Sequence, residues 1–148
     1  MTEILFYHLE SQPLERVLPQ LLEKTLERGW RAVVETSSRE RALALDALLW
    51  TFRDDSFLPH GIAGDETDAD QPILIAMDDD NNNRANVRFF VDRTVPTSGD
   101  GYERIVYLFS GHDPDAVTEA RIVWKALKDD NDLTYWQQDD TGRWAKKG

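Results

Sequence analysis

Cysteine is absent from the 148 residues, which removes disulfides, thiolate metal ligands and thiol nucleophiles. That absence fits a reducing compartment, and a cytoplasmic location is expected. Cations are scarce: 17 Lys and Arg stand against 28 Asp and Glu, a formal net charge of −11. Broad nucleic-acid grip depends on phosphate neutralisation, so this balance argues against it. Any acidic ligand would need a local basic patch. No apolar run approaches the roughly 20 residues of a membrane span. Met1-Thr2-Glu3-Ile4-Leu5 lacks the basic start of a secretory signal. A glycine-rich phosphate loop is missing too: Glu10-Ser11-Gln12-Pro13 stands where one would follow the first strand. His8, His60 and His112 lie far apart and form no zinc-spaced pair. Asp78-Asp79-Asp80 lacks the alternating ligands and closing glutamate of a calcium loop and reads, with Asn81-Asn82-Asn83, as a solvated polar turn. No metal or cofactor is expected.

What remains is a chain with 41% hydrophobic and 10% aromatic residues, long enough for one domain over 1–148 with a core of its own. Residues 3–9 read as a buried strand. Pro13 opens a helix whose apolar positions, Leu14, Val17, Leu18, Leu21, Leu22 and Leu26, follow three-and-four spacing until Gly29 stops it. Pro19 is placed to kink it. A strand over 31–36 precedes a helix capped by Ser37 or Ser38 and running to about Trp50. Residues 51–71 form a long connection. Strands over 72–76 and 87–91 then flank a polar turn and predict a hairpin. A strand over 105–109 follows. A helix opens at Asp113-Pro114, cap and first position, and runs to about Lys128. Leu133 to Gln137 is a last strand or an extended tail. The alternation predicts an α/β single domain with a mostly parallel, mixed central sheet flanked by helices, Rossmann-like without the nucleotide-binding glycine loop.

Two features exceed what folding requires. The stretch from Trp50 to His60, with Phe52, Phe57, Leu58 and Pro59, carries large apolar groups from a helix end into a loop. Such groups fold back on the core or anchor a partner. The second feature is the last helix. Val117, Ala120, Trp124 and Leu127 form an apolar stripe beside Arg121, Lys125 and Lys128, with no acid from 120 to 128. The plainer reading is a solvated face with lysines near a helix C-terminus, where the dipole favours them. The other is a basic ridge suited to an acidic peptide with a hydrophobic end.

Several segments resemble the chi subunit family of bacterial DNA polymerase III, a clamp-loader accessory family. They are Phe6-Tyr7-His8-Leu9, Gly29-Trp30-Arg31, Leu45-Asp46-Ala47-Leu48-Leu49-Trp50, Ser56-Phe57-Leu58-Pro59-His60-Gly61-Ile62-Ala63-Gly64, Ala120-Arg121 to Trp124-Lys125, and Leu133-Thr134-Tyr135-Trp136. The block from Trp50 to Gly64 is the most specific. The resemblance implies a non-catalytic protein that pairs with the psi subunit, and through it the clamp loader, and that binds the acidic C-terminal tail of single-stranded DNA-binding protein. It implies psi contacts at Trp50, Phe57 and Pro59, a surface that a helicase-like protein is also expected to use. It implies tail contacts at Arg121, Trp124 and Lys125, with Phe109 and Ser110 lining the apolar pocket. DNA contact is then indirect.

One departure stands out. Some members carry a further basic residue where this chain has Val117, which leaves Lys128, or Lys146 and Lys147, as compensating cations. The stretch from Leu133 to Gly148 has no role assigned by the resemblance. Two other readings stay open: a nucleotide-binding enzyme using the crevice at the carboxyl ends of the strands, and a direct single-stranded DNA binder stacking bases on Trp50 and Phe57.

Overall fold

The computed structural model describes residues 2–52, 58–64, 66–78 and 81–148. Its strands are β1 (Glu3–Leu9), β2 (Ala32–Glu35), β3 (His60–Ile62), β4 (Ile73–Ala76), β5 (Val87–Phe90), β6 (Arg104–Ser110), β7 (Asp132–Gln138) and β8 (Trp144–Lys146). Its helices are α1 (Leu14–Glu27), α2 (Arg39–Thr51) and α3 (Pro114–Leu127). One sheet takes all the strands in the order β3-β4-β2-β5-β6-β1-β7-β8. Every pairing is parallel except the antiparallel β7–β8 pair.

The helices form as their sequences dictate. The Ser38 hydroxyl accepts the Arg41 N–H to start α2, and the Asp113 carboxylate accepts from the N–H groups of Asp115 and Ala116 to start α3. α1 runs unbroken through the buried Pro19 and ends at Gly29, whose φ of +80° only glycine adopts without strain. α1 and α2 pack Leu18, Leu22, Leu45 and Leu49 on one face of the sheet, against Val34, Ile75 and Phe89. α3 packs on the other face, against Ile4, Phe6, Ile105 and Tyr107. Central strands covered on both faces are apolar throughout: β4 and β5 bury every residue.

Four expectations change. β4 and β5 are not a hairpin; both pair in parallel with β2, one on each side. Parallel strands on either side of β2 need the chain carried back to their starting end between them. The polar run between them is structural where it was expected to be solvated. Asn83 is fully buried and donates to the Ala32 and Gln71 carbonyls at 2.9 Å each, while the Asn86 side chain accepts the Arg31 N–H. Asp79 and Asp80 lie outside the described residues. The long 51–71 connection holds an edge strand, β3, and a short 3-10 turn at Asp68–Asp70. Beyond β7, residues 144–146 add β8. One charged side chain sits deep in the sheet: Arg88 of β5 donates to Glu35, to the Tyr102 hydroxyl and to the Asp78 carbonyl.

Candidate functional site

β1, β7, β8 and α3 enclose an open hollow of about 570 Å³ on the α3 side of the sheet. Period-two alternation brings His8 of β1 and Tyr135 and Gln137 of β7 to its floor. α3 supplies Val117, Arg121, Trp124 and Lys125 as one wall, and Lys147, just after β8, closes the other side. Trp124 is braced by edge contacts with Phe6 at 5.1 Å and Tyr135 at 6.1 Å between ring centroids. It therefore presents a fixed apolar surface beside the cations.

The floor holds a relay of close polar contacts. His8 Nδ1 lies 2.6 Å from the Tyr135 hydroxyl, and Nε2 lies 2.8 Å from Glu10 Oε1. Glu10 also accepts from the Gln137 amide at 3.2 Å. The Tyr135 hydroxyl and His8 Nδ1 share a hydrogen bond, whereas His8 Nε2 approaches the Glu10 carboxylate without making one. Burial pushes the Tyr135 phenol above its ordinary range, against the pull of Arg121. Gly111 makes the relay possible, because a Cβ there would collide with the His8 ring.

Charge in the hollow is available. Arg121, Lys125 and Lys147 are exposed, and among the described residues none of them forms an ion pair. Other arginines do: Arg93 is held by Asp113 and Glu119, Arg104 by Glu3, Arg41 by Asp92. In a chain of net charge −11, three exposed cations here adjoin one apolar wall.

Of the seven residues expected at the tail site, Val117, Arg121, Trp124 and Lys125 meet at this hollow. Phe109 does not line it. Its buried ring stands behind the floor, 5.4 Å from His8 and 6.0 Å from Tyr135. Ser110 faces the neighbouring crevice, and Lys128 lies beyond the hollow, past the end of α3. The buried stripe of α3 is Ala116, Ala120, Val123 and Leu127, which leaves Val117 and Trp124 at its margin, able to face the hollow. Sequence reasoning missed His8, Tyr135 and Gln137. Pairing β7 with β1 brings them together, and no local pattern reports that.

At the opposite edge of the sheet, Trp50 ends α2 half exposed, at 53%, with its ring 4.7 Å from that of His60 in β3. His60 is pinned by the Leu58 carbonyl at 2.6 Å and by Asp46 at 3.0 Å. Leu58 is buried and Pro59 half-buried beside it. Phe57 lies outside the described residues. Leu43, two turns before Trp50, is also exposed, at 49%.

A second concavity, about 530 Å³, lies at the carboxyl ends of β1 and β6, where α1 and α3 leave toward opposite faces. In open α/β sheets this is where nucleotides bind. Here Glu10, Glu15, Asp92 and Asp113 line it, and its one arginine, Arg93, is already paired with Asp113 and Glu119. Such a lining repels phosphate.

No helix among the described residues is long and apolar enough to cross a membrane. Residues 1–133 match the model of the family described as DNA polymerase III chi subunit. A Rickettsia prowazekii protein named "Probable DNA polymerase III subunit chi" is 29% identical over 94 residues, covering 64% of this chain and 57% of that protein. A Pseudomonas aeruginosa protein named "DNA polymerase III subunit chi" is 27% identical over 111 residues, covering 73% and 77%. The match over nine-tenths of the sequence is decisive: the chain belongs to the DNA polymerase III chi subunit family.

Proposed function

We propose that this protein is a non-catalytic bridge in DNA replication. In this reading the α3 hollow takes the acidic C-terminal tail of single-stranded DNA-binding protein, and the aromatic face around Trp50 takes psi, which links the chain to the clamp loader. Arg121 receives the terminal carboxylate or an acidic side chain, Lys125 adds charge, and Trp124 and Val117 take the apolar end. Trp50, Phe57 and Pro59 serve psi, or a helicase-like partner in its place. Two weak attachments joined through one rigid body raise effective concentration, and so hold the assembly on coated single strands without a tight contact at either end.

One observation carries this reading: unpaired cations beside an apolar wall, on a chain otherwise acidic, at the far side of the sheet from the aromatic face. β3 and β7 are six strand spacings apart, roughly 25–30 Å at ~4.8 Å each, so both partners fit at once.

Calorimetry with each partner tests it. Arg121→Ala weakens binding of a synthetic acidic peptide ending in the tail's proline and aromatic residues by about 10- to 100-fold, the worth of a charge-assisted hydrogen bond, and leaves psi pairing unchanged. Phe57→Ala and Trp50→Ala do the reverse. Equal loss of both partners in either variant refutes the bridge.

A further inference from the structure

The family match ends at residue 133, yet much of the hollow's floor and all of its second wall come from residues after it. β7 and β8 pair antiparallel with Gln138 opposite Trp144, Gln137 opposite Ala145 and Trp136 opposite Lys146. The pairing continues one residue further, where the Lys147 N–H donates to the Tyr135 carbonyl at 2.8 Å. Opposed residues in a sheet share a face. Tyr135 and Gln137 face α3, so Ala145 and Lys147 do too. Trp144 and Lys146 fall on the other face, where the Trp144 ring meets Tyr7 edge-on at 5.0 Å. The hairpin is held tightly enough to fix this register. The Asp139 carboxylate accepts from Thr141 and from the Arg143 N–H, and Gly142 supplies the turn with φ +87°.

We infer that Lys147, held by the β7–β8 hairpin, is the third cation of the acidic-peptide site, and that its neighbour Lys146 has no part in it. This rests on the reading of the hollow given above and goes beyond it. The ligand is gripped from two sides, by Arg121 and Lys125 on α3 and by Lys147 on the strand, around the apolar wall of Trp124. The hollow thereby replaces a cation missing at Val117 with one from a different element. It favours a peptide with carboxylates on both flanks of its apolar end over one with a single terminal charge. Of the three lysines able to compensate, the register admits one: Lys128 lies past α3, and Lys146 points to the opposite face.

The two adjacent lysines give a charge-matched test, since each alanine substitution removes one positive charge. The full chain is titrated with the acidic tail peptide at moderate salt by calorimetry. Lys147→Ala weakens binding about three- to fivefold, the scale of one partly screened ion pair, and Lys146→Ala changes it less than about 1.5-fold. Trp144→Ala, which frees the strand from Tyr7, lowers affinity as Lys147→Ala does, and adding Lys147→Ala to it brings little further loss. Equal effects of the two lysines, or none from Lys147, overturn the inference while Arg121 dependence still supports the hollow itself. No binding by the unaltered chain overturns both.

Discussion

In the proposed reading, the two edges of the sheet hold their partners in different ways. At the β7–β8 edge the surface is concave and cationic, with its aromatic ring propped by Phe6 and Tyr135. Near the β3 edge α2 exposes the apolar side chains of Trp50 and Leu43. The first suits a flexible acidic segment that must be caught quickly and released. The second suits a folded partner whose own apolar surface needs covering. Charge controls encounter and salt response, whereas buried aromatic area controls residence. One acidic chain can therefore carry two independent specificities.

The contrast can be broken most forcefully at Trp124. Trp124→Ala removes the wall of the hollow and the brace on Phe6, so peptide binding falls by about 100-fold or more and stability by about 2–3 kcal/mol, less than for a fully buried tryptophan. Thermal melting and calorimetry read the two effects, and psi pairing at the far edge persists. Trp50→Ala is the mirror case. A half-exposed ring contributes little to folding, so the melting temperature moves by only a few degrees while psi affinity falls by at least about tenfold. Loss of peptide binding in Trp50→Ala would show that the two edges are coupled.

Salt sharpens the same contrast more gently. Between about 0.05 and 0.5 M the screening length shortens from roughly 14 to 4 Å, so peptide affinity drops several-fold while psi pairing barely responds. Equal salt sensitivity would mean that both surfaces bind through charge.

The smallest effect is alkaline. Burial raises the Tyr107 phenol from 10.0 to about 12, with Glu119 adding to the rise. The unfolded chain loses this proton near pH 10 while the folded chain keeps it, so the contribution to stability is full below pH 10 and fades as pH climbs toward 12. The melting temperature falls over that window, and less steeply in Tyr107→Phe. Tyr135, raised in the same direction, stays neutral through pH 9, so its phenol adds no pH dependence to peptide binding between pH 7 and 9.

Much of this was legible in the chain itself, and what was not has a common physical cause. Local signals placed α1, α2 and α3, because caps such as Ser38 and Asp113-Pro114 and the stop at Gly29 act within a few residues. The cations Arg121 and Lys125 and the ring of Trp124 were legible for the same reason: one helix face carries all three. The strand partners were not legible. β4 and β5 had the composition of a hairpin, but pairing is decided by whichever strand lies between them, and nothing near residue 80 reports the insertion of β2. Asn83 looked solvated because its partners, Ala32 and Gln71, are 51 and 12 residues away. Likewise His8 and Tyr135, separated by 127 residues, meet only because β1 lies beside β7. The site was half visible because half of it is helical and local.

The position of β1 has a consequence for the order in which the molecule can come into being. β1 precedes both strands that flank it, β6 and β7, so neither neighbour exists until residues 104–110 and 132–138 have left the ribosome. At about 5–20 residues per second, an emerging Ile4-Leu5-Phe6 must wait several seconds, up to roughly half a minute, with its apolar side chains uncovered. Residues 132–147 complete one edge of the sheet and the hollow beside it together, so a chain cut before β7 would leave one side of β1 unpaired and lack the floor of the binding surface.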